Sequence, residues 1–195
     1  MNKFLHVGCG PKRINNPKGF EGWSEIRLDI DPKTEPDIVG SLTNMSACDS
    51  GSFDALYSSH NIEHIYPHEV PIAINEFLRV IKNDGFVVIT CPDLQSVGAQ
   101  LANGRLIEPL YESDAGQISA IDIIYGHRGF LADGNYHMQH KSGFTFPVLS
   151  TLFREAGFNH TFGGAIPELF EIWMMAFKGS LTQEEIKNMA IKYLP

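Results

Sequence analysis

Phe4-Leu5-His6-Val7-Gly8-Cys9-Gly10-Pro11 is the stretch on which the reading of the fold turns. A short, mainly apolar run stops at two glycines and a proline, so a buried strand enters a tight turn. Working outward, Glu25-Ile26-Arg27-Leu28-Asp29-Ile30-Asp31 alternates charged and apolar residues before Pro32, the pattern of a second strand that ends in acids. Residues 11–24 between them carry Pro11, Pro17, Gly19, Gly22 and Asn15-Asn16. These are poor helix material, so a loop is expected where most nucleotide-binding α/β folds place a helix.

Farther along, Asp37-Ile38-Val39-Gly40 reads as a brief third strand and Phe53-Asp54-Ala55-Leu56-Tyr57-Ser58 as a clearer fourth. From Glu69 to Lys82, Val70, Ile74, Phe77, Leu78 and Ile81 recur at helical spacing, with Pro71 in the first turn and Asn83-Asp84-Gly85 as the stop. The unbroken run Phe86-Val87-Val88-Ile89-Thr90 is typical of a central parallel strand, closed by Pro92. Asp93 is placed to cap a short helix through Leu94, Val97 and Leu101, with Asn103-Gly104 ending it.

Residues 105–143 are less orderly, an apolar patch from Ile118 to Tyr125 followed by a segment rich in Gly, His and Asn that suits a binding loop. Thr145 and Pro147 then open a helix with Val148, Leu149, Leu152, Phe153 and Ala156 on one face, ending at Gly157. Asn159 to Phe162 and Phe170 to Lys178 read as closing strands. Thr182-Gln183-Glu184-Glu185 is a capping box before a last helix carrying Ile186, Met189, Ala190 and Tyr193. Strands alternating with helices, then a strand pair, predict a three-layer α/β domain spanning 1–195.

Composition narrows the function classes. A chain of 195 residues, 43% hydrophobic and 19% charged, fits one globular domain, and no apolar stretch reaches membrane-spanning length. The glycine turn follows the first residues so closely that no secretory leader is expected, which points to the cytoplasm. Cys9, Cys48 and Cys91 are odd in number and widely spaced, so free thiols are expected rather than disulfides or a cysteine zinc site. A net charge of -8 with no basic run disfavours nucleic acid as partner.

In an open parallel sheet, ligands bind outside the carboxyl ends of the strands. That rule selects Gly8-Cys9-Gly10, Asp29-Ile30-Asp31 and the polar cluster Ser58-Ser59-His60-Asn61. Glycines let a backbone approach a ligand closely, and a carboxylate about twenty residues on can accept from both hydroxyls of a ribose. The full dinucleotide pattern fails at its third glycine, which is Arg13 here, so a nucleoside without a pyrophosphate fits better than NAD. A nicotinamide-dependent oxidoreductase and a non-catalytic binding module stand as the competing readings.

Four segments together, Leu5 to Gly10, Leu28 to Asp31, Phe53 to Ile65 and Glu76 to Phe86, resemble class I S-adenosylmethionine-dependent methyltransferases, above all small bacterial members of the methyltransferase type 11 kind. The resemblance implies a Rossmann-like fold, a mostly parallel seven-stranded sheet with an antiparallel strand near the carboxyl terminus, and S-adenosylmethionine as cofactor. It also implies that Gly8, Cys9 and Gly10 pass under the methionine portion. Asp29, with Ile30 beside it, would hold the ribose, Ser41 and Leu42 would edge the adenine, and His6, Ser58 and Ser59 would complete the cofactor site. His6 and Ser41 both stand where relatives commonly have an acid.

A sulfonium already activates its methyl group, so the protein must chiefly align a nucleophile and exclude water. Where the nucleophile carries a proton, His60 is the expected base, with His64 second. Tyr125, His127, Arg128, His137 and Lys141 are candidate contacts for a polar or anionic acceptor, which makes 105–143 a substrate-side insertion. His137 and His140 form an H-x-x-H pair, yet no acid or cysteine partner has ligand spacing, so no metal site is expected. Trp23, Trp173 and Met174-Met175 are assigned to packing. The acidic balance favours a small-molecule or sugar-like acceptor.

Overall fold

The computed structural model describes residues 1–12, 16–113 and 115–195. Arg13, where the third glycine of a dinucleotide turn would stand, and Asn15 lie outside the described residues. Strands β1 (Lys3–Val7), β2 (Ser24–Asp29), β3 (Ile38–Val39), β4 (Phe53–Ser59) and β5 (Ile81–Pro92) pair in parallel. Strands β6 (Pro109–Ser113) and β7 (Gly116–Ser119) form a separate antiparallel hairpin. With β8 (His160–Ile166) and β9 (Glu171–Phe177) the main sheet has seven strands in the order β3-β2-β1-β4-β5-β9-β8, and β9 runs antiparallel to both neighbours. The expected Rossmann-like sheet with one late antiparallel strand is therefore present.

Side-chain alternation along the strands sorts the core into two faces. Leu5, Leu56, Val87, Ile89 and Met174 point to one face, beneath α1 (Val70–Val80). Outside the sheet, α2 (Leu94–Ala102), α3 (Ala120–Tyr125) and α4 (Arg128–Ala132) precede α5 (Phe146–Glu155), which covers the same face as α1 through Leu149 and Phe153. Phe4, Tyr57, Phe86, Val88 and Phe177 point to the other face, under α6 (Gln183–Tyr193).

No helix follows β1 in the described part of 11–24. Instead Phe20, fully buried, lies with its ring 4.4 Å from that of Phe4 and 5.0 Å from that of Tyr193. A plugged aromatic and the last helix of the chain together cover the sheet there.

Local signals fixed most boundaries. The Asp93 carboxylate accepts from the amides of Gln95 at 3.2 Å and Ser96 at 3.0 Å and so starts α2, and the Thr182/Glu185 capping box starts α6. Helix α1 stops at Val80, two residues before the expected Lys82. Ile81 has extended backbone and pairs with Phe53, so strand pairing overrides the helical spacing that the sequence offers. The β6-β7 hairpin is a correction to the loop reading of 105–143. Among the described residues no helix is long and apolar enough to cross a membrane.

Candidate active site

The chain runs outward from β1 to β2 and β3 and then returns to the other side of β1 as β4. The order of strands thus reverses between β1 and β4, and a crevice opens at their carboxyl ends. Beyond β1, Gly8 and Gly10 have φ of +65° and +58°, backbone that other residues adopt only with strain. The Gly8 amide donates to the Leu28 carbonyl at 2.8 Å, and the Gly10 amide donates to Asp29 Oδ2, also at 2.8 Å. Asp29 is buried, and its Oδ1 accepts from the Asp31 amide at 2.9 Å. Oδ2 also accepts from the Cys9 thiol at 4.0 Å, so Oδ1 keeps a lone pair for a hydroxyl donor.

Two buried side chains brace this turn. Arg27 donates to the carbonyls of Gly10 at 2.5 Å, Thr34 at 3.0 Å and Glu35 at 2.7 Å, tying the glycine turn to the turn beyond β2. Sequence reasoning gave Arg27 no role in the site. His6 donates from Nδ1 to Glu25 Oε1 at 2.6 Å, so the neighbouring strand supplies a carboxylate where His6 itself departs from the acidic pattern. His6, Glu25, Arg27, Cys9 and Tyr57 line a polar cavity of about 100 Å³ together with Pro11, Asn16 and Pro17.

At the adenine end of the expected site, Ile30 is half-exposed, and Ser41 Oγ lies 3.0 Å from Thr43 Oγ1. The Leu42 side chain is buried in the core, which leaves its backbone for any ligand contact.

Beyond β4 the chain turns sharply at His60, whose φ is +49°. Ser58 is fully buried and its hydroxyl has no hydrogen-bond partner among the described residues, whereas Ser59 is partly exposed. The Asn61 side chain lies directly over Gly8, a contact that the site reading had left out. His60 Nε2 donates to Glu171 Oε1 at 3.0 Å, and His60 Nδ1 stands 3.5 Å from Glu63 Oε1. Glu171 Oε2 accepts from the Trp173 indole at 2.7 Å, so Trp173 orients this acid besides packing.

Partial burial works against a charge on His60, but Glu171 and Glu63 outweigh it and push the imidazole up to about 10. An imidazolium has no lone pair for a proton. The expected base thus stands between two acids, Glu171 from β9 and Glu63 from the turn after β4, that favour its charged form.

Segment 105–143 leaves from the end of α2 and returns at Phe144, whose carbonyl accepts from the Leu94 amide at 2.8 Å beside the carboxyl end of β5. Its expected acceptor contacts do not converge. Tyr125 and His137 are exposed, His127 caps α4 by accepting from the Phe130 amide at 3.4 Å, and Lys141 lies 5.1 Å from the Tyr66 ring centre. Arg128 donates from Nε to Asp122 Oδ1 at 2.7 Å and from Nη2 to Oδ2 at 3.0 Å. That bidentate pair ties the guanidinium to the fold. His64 donates from Nδ1 to the Gln139 carbonyl at 3.1 Å, which places it against this segment.

Comparison with known proteins adds the chemistry. Residues 5–89 match the family described as a methyltransferase domain. Over that stretch, which runs from β1 into β5, the chain is similar to methyltransferase domains. No curated protein is detectably similar in sequence. Among solved structures, the chain resembles 1,6-didemethyltoxoflavin-N1-methyltransferase from Burkholderia thailandensis, with bound 1,6-didemethyltoxoflavin and S-adenosylhomocysteine, at 15% identity and a TM-score of 0.54, over 91% of this chain and 71% of that one. A methyltransferase from Archaeoglobus fulgidus gives 15% identity and a TM-score of 0.57 over 91% and 86% of the two chains. A Thermotoga maritima methyltransferase, a possible histamine N-methyltransferase, gives 14% identity and 0.53 over 91% and 83%.

The glycine turn leaves room for a nucleoside ligand, since a Cβ built on Gly10 would meet nothing within 4 Å among the described residues. The Asp29 carboxylate stands beside it.

Proposed function

We propose that the protein is a class I S-adenosylmethionine-dependent methyltransferase that methylates a small, polar, sugar-like acceptor held between the carboxyl ends of β4 and β5 and segment 105–143. The observation that carries this reading is the 2.8 Å hydrogen bond from the Gly10 amide to Asp29, which brings a bare backbone turn and a buried carboxylate to one point at the strand-order reversal. S-adenosylmethionine supplies a methyl group that is already activated. The residues of the chain bind and orient. Gly8, Cys9 and Gly10 lie under the methionine portion, Asp29 accepts from the ribose hydroxyls, and Ile30, Ser41 and the Leu42 backbone border the adenine. His6, through Glu25, and Ser58 and Ser59 support the floor of the site.

His60 and His64 face the acceptor side, because Asn61 between them contacts Gly8. His60, held with Glu171 and Glu63, presents a charged cluster that orients a polar acceptor group rather than deprotonating it. Tyr125, His127, His137 and Lys141 sit on the segment that flanks this side, and Arg128 secures that segment through Asp122. Three buried free thiols support a reducing compartment such as the cytoplasm.

Calorimetry on the full chain with S-adenosylhomocysteine and with NAD tests the cofactor side of this reading, and a methyl-transfer assay across sugars, amines and hydroxylated small molecules tests the acceptor. Saturable binding of S-adenosylhomocysteine with none of NAD is expected, together with methylation of a hydroxylated small molecule. Binding of NAD alone would reject the proposal.

A further inference from the structure

We propose that Glu63, His64 and His140 form a site for a divalent transition metal of the zinc class, with three protein ligands and a fourth position open. One oxygen of Glu63 and one nitrogen of each imidazole lie within 4.8 Å of one another. Tetrahedral zinc with bonds near 2.0–2.1 Å sets its ligands roughly 3.4 Å apart, so a small approach of the three side chains would bring their donors onto an ion.

The state of each donor suits a metal. The Glu63 side chain is 1% exposed; His60 Nδ1 stands 3.5 Å from its Oε1, and Oε2 has no hydrogen-bond partner among the described residues. A buried carboxylate oxygen without a partner is costly, and a cation on that side would satisfy it. His64 donates from Nδ1 to the Gln139 carbonyl at 3.1 Å, and His140 donates from Nδ1 to the Ile123 carbonyl at 2.7 Å. A carbonyl only accepts, so each neutral ring carries its proton on Nδ1 and keeps the Nε2 lone pair for a ligand. Backbone carbonyls fix histidine ligands of metals in this manner. The rings are also adjacent, with centres 4.9 Å apart.

The backbone holds the two halves of the site together. The amides of Lys141 and Ser142 donate to the Glu63 carbonyl at 2.8 and 3.1 Å, fastening the segment that bears His140 to the turn that bears Glu63 and His64. The sequence pairs His140 with His137, but His137 is exposed and the fold sets His140 beside acid and imidazole from another part of the chain. Two imidazoles and one carboxylate select zinc or its neighbours over magnesium and calcium, which take oxygen donors. The site needs neither the cofactor nor the acceptor assigned above.

The test uses the full chain, freed of metal with a chelator, then titrated with Zn²⁺ by calorimetry and with Co²⁺ by visible absorption. One ion per chain by native mass spectrometry is expected, with Co²⁺ bands of a four- or five-coordinate site and no thiolate charge-transfer band. His64→Ala and His140→Ala are expected to weaken Zn²⁺ binding at least 100-fold while keeping the circular dichroism of the parent, whereas His137→Ala binds as the parent does. The wild-type Co²⁺ spectrum decides the matter even where a variant does not fold. Absence of stoichiometric Zn²⁺, a thiolate band, or equal loss of binding in His137→Ala overturns the proposal.

Discussion

The Asn61 carboxamide fills the space over Gly8 that any other residue would need for its Cβ, which would lie 1.2 Å from Asn61 Nδ2. Two turns, one after β1 and one after β4, are thereby packed against each other where strand order reverses. The methionine side and the acceptor side of the site meet at this contact.

Gly8→Ala combines left-handed backbone strain of about 1 kcal/mol with displacement of the Asn61 side chain. Urea unfolding is expected to show a total loss of about 2–4 kcal/mol. The double variant Gly8→Ala/Asn61→Ala is expected to recover the steric part and retain the strain. Equal stability of the single and double variants would show that Asn61 yields freely.

Asp29→Ala removes the acceptor proposed for the ribose and frees the amides of Gly10 and Asp31. Affinity for S-adenosylhomocysteine is expected to fall by roughly 1.5–3 kcal/mol, read by calorimetry, with the circular dichroism of the domain retained. Unchanged affinity would remove Asp29 from the site.

Much of this arrangement was legible because it obeys a period. Phe4 to Val7, Phe86 to Thr90 and the stripe from Val70 to Phe77 declare their elements through apolar spacing, and Asp93 and Thr182 through capping chemistry. The β6-β7 hairpin was not, since its Pro109–Ser113 strand is partly or wholly exposed at every position and carries no burial pattern to read. Asp29 was found because its distance from the glycine turn is itself a signal. Glu171 beside His60, and His140 beside Glu63, were hidden because only tertiary structure joins them. Arg27 was passed over because alternation shows which face a side chain takes and not what covers that face.

Acid is expected to loosen the 105–143 segment at Asp122. Burial works against the charge of this carboxylate, but the Arg128 guanidinium and the Ser119 hydroxyl and amide outweigh it and hold the carboxyl well below the usual aspartate range. With the folded value depressed, the stabilisation is complete above the ordinary aspartate pKa near 4 and is lost as pH falls toward the folded value. Urea midpoints at pH 7 and pH 3 are expected to differ more for the parent than for Asp122→Asn. Identical differences in the two proteins would refute the assignment.

The thiols are expected to resist alkylation. Burial pushes Cys9 up to about 11 and raises Cys48 and Cys91 as well, so little thiolate exists at neutral pH. Mass spectrometry after iodoacetamide at pH 7.5 is expected to find all three unlabelled in the folded protein and labelled in urea. Rapid labelling of Cys9 in the folded state would contradict its environment.

The aromatic plug under α6 has a consequence for folding order. Phe4 and Phe20 stand far along the chain from Ile186, Ala190 and Tyr193, which close over them. Contacts so distant in sequence form late and set the pace of folding, so this side of the sheet is covered only after α6 docks.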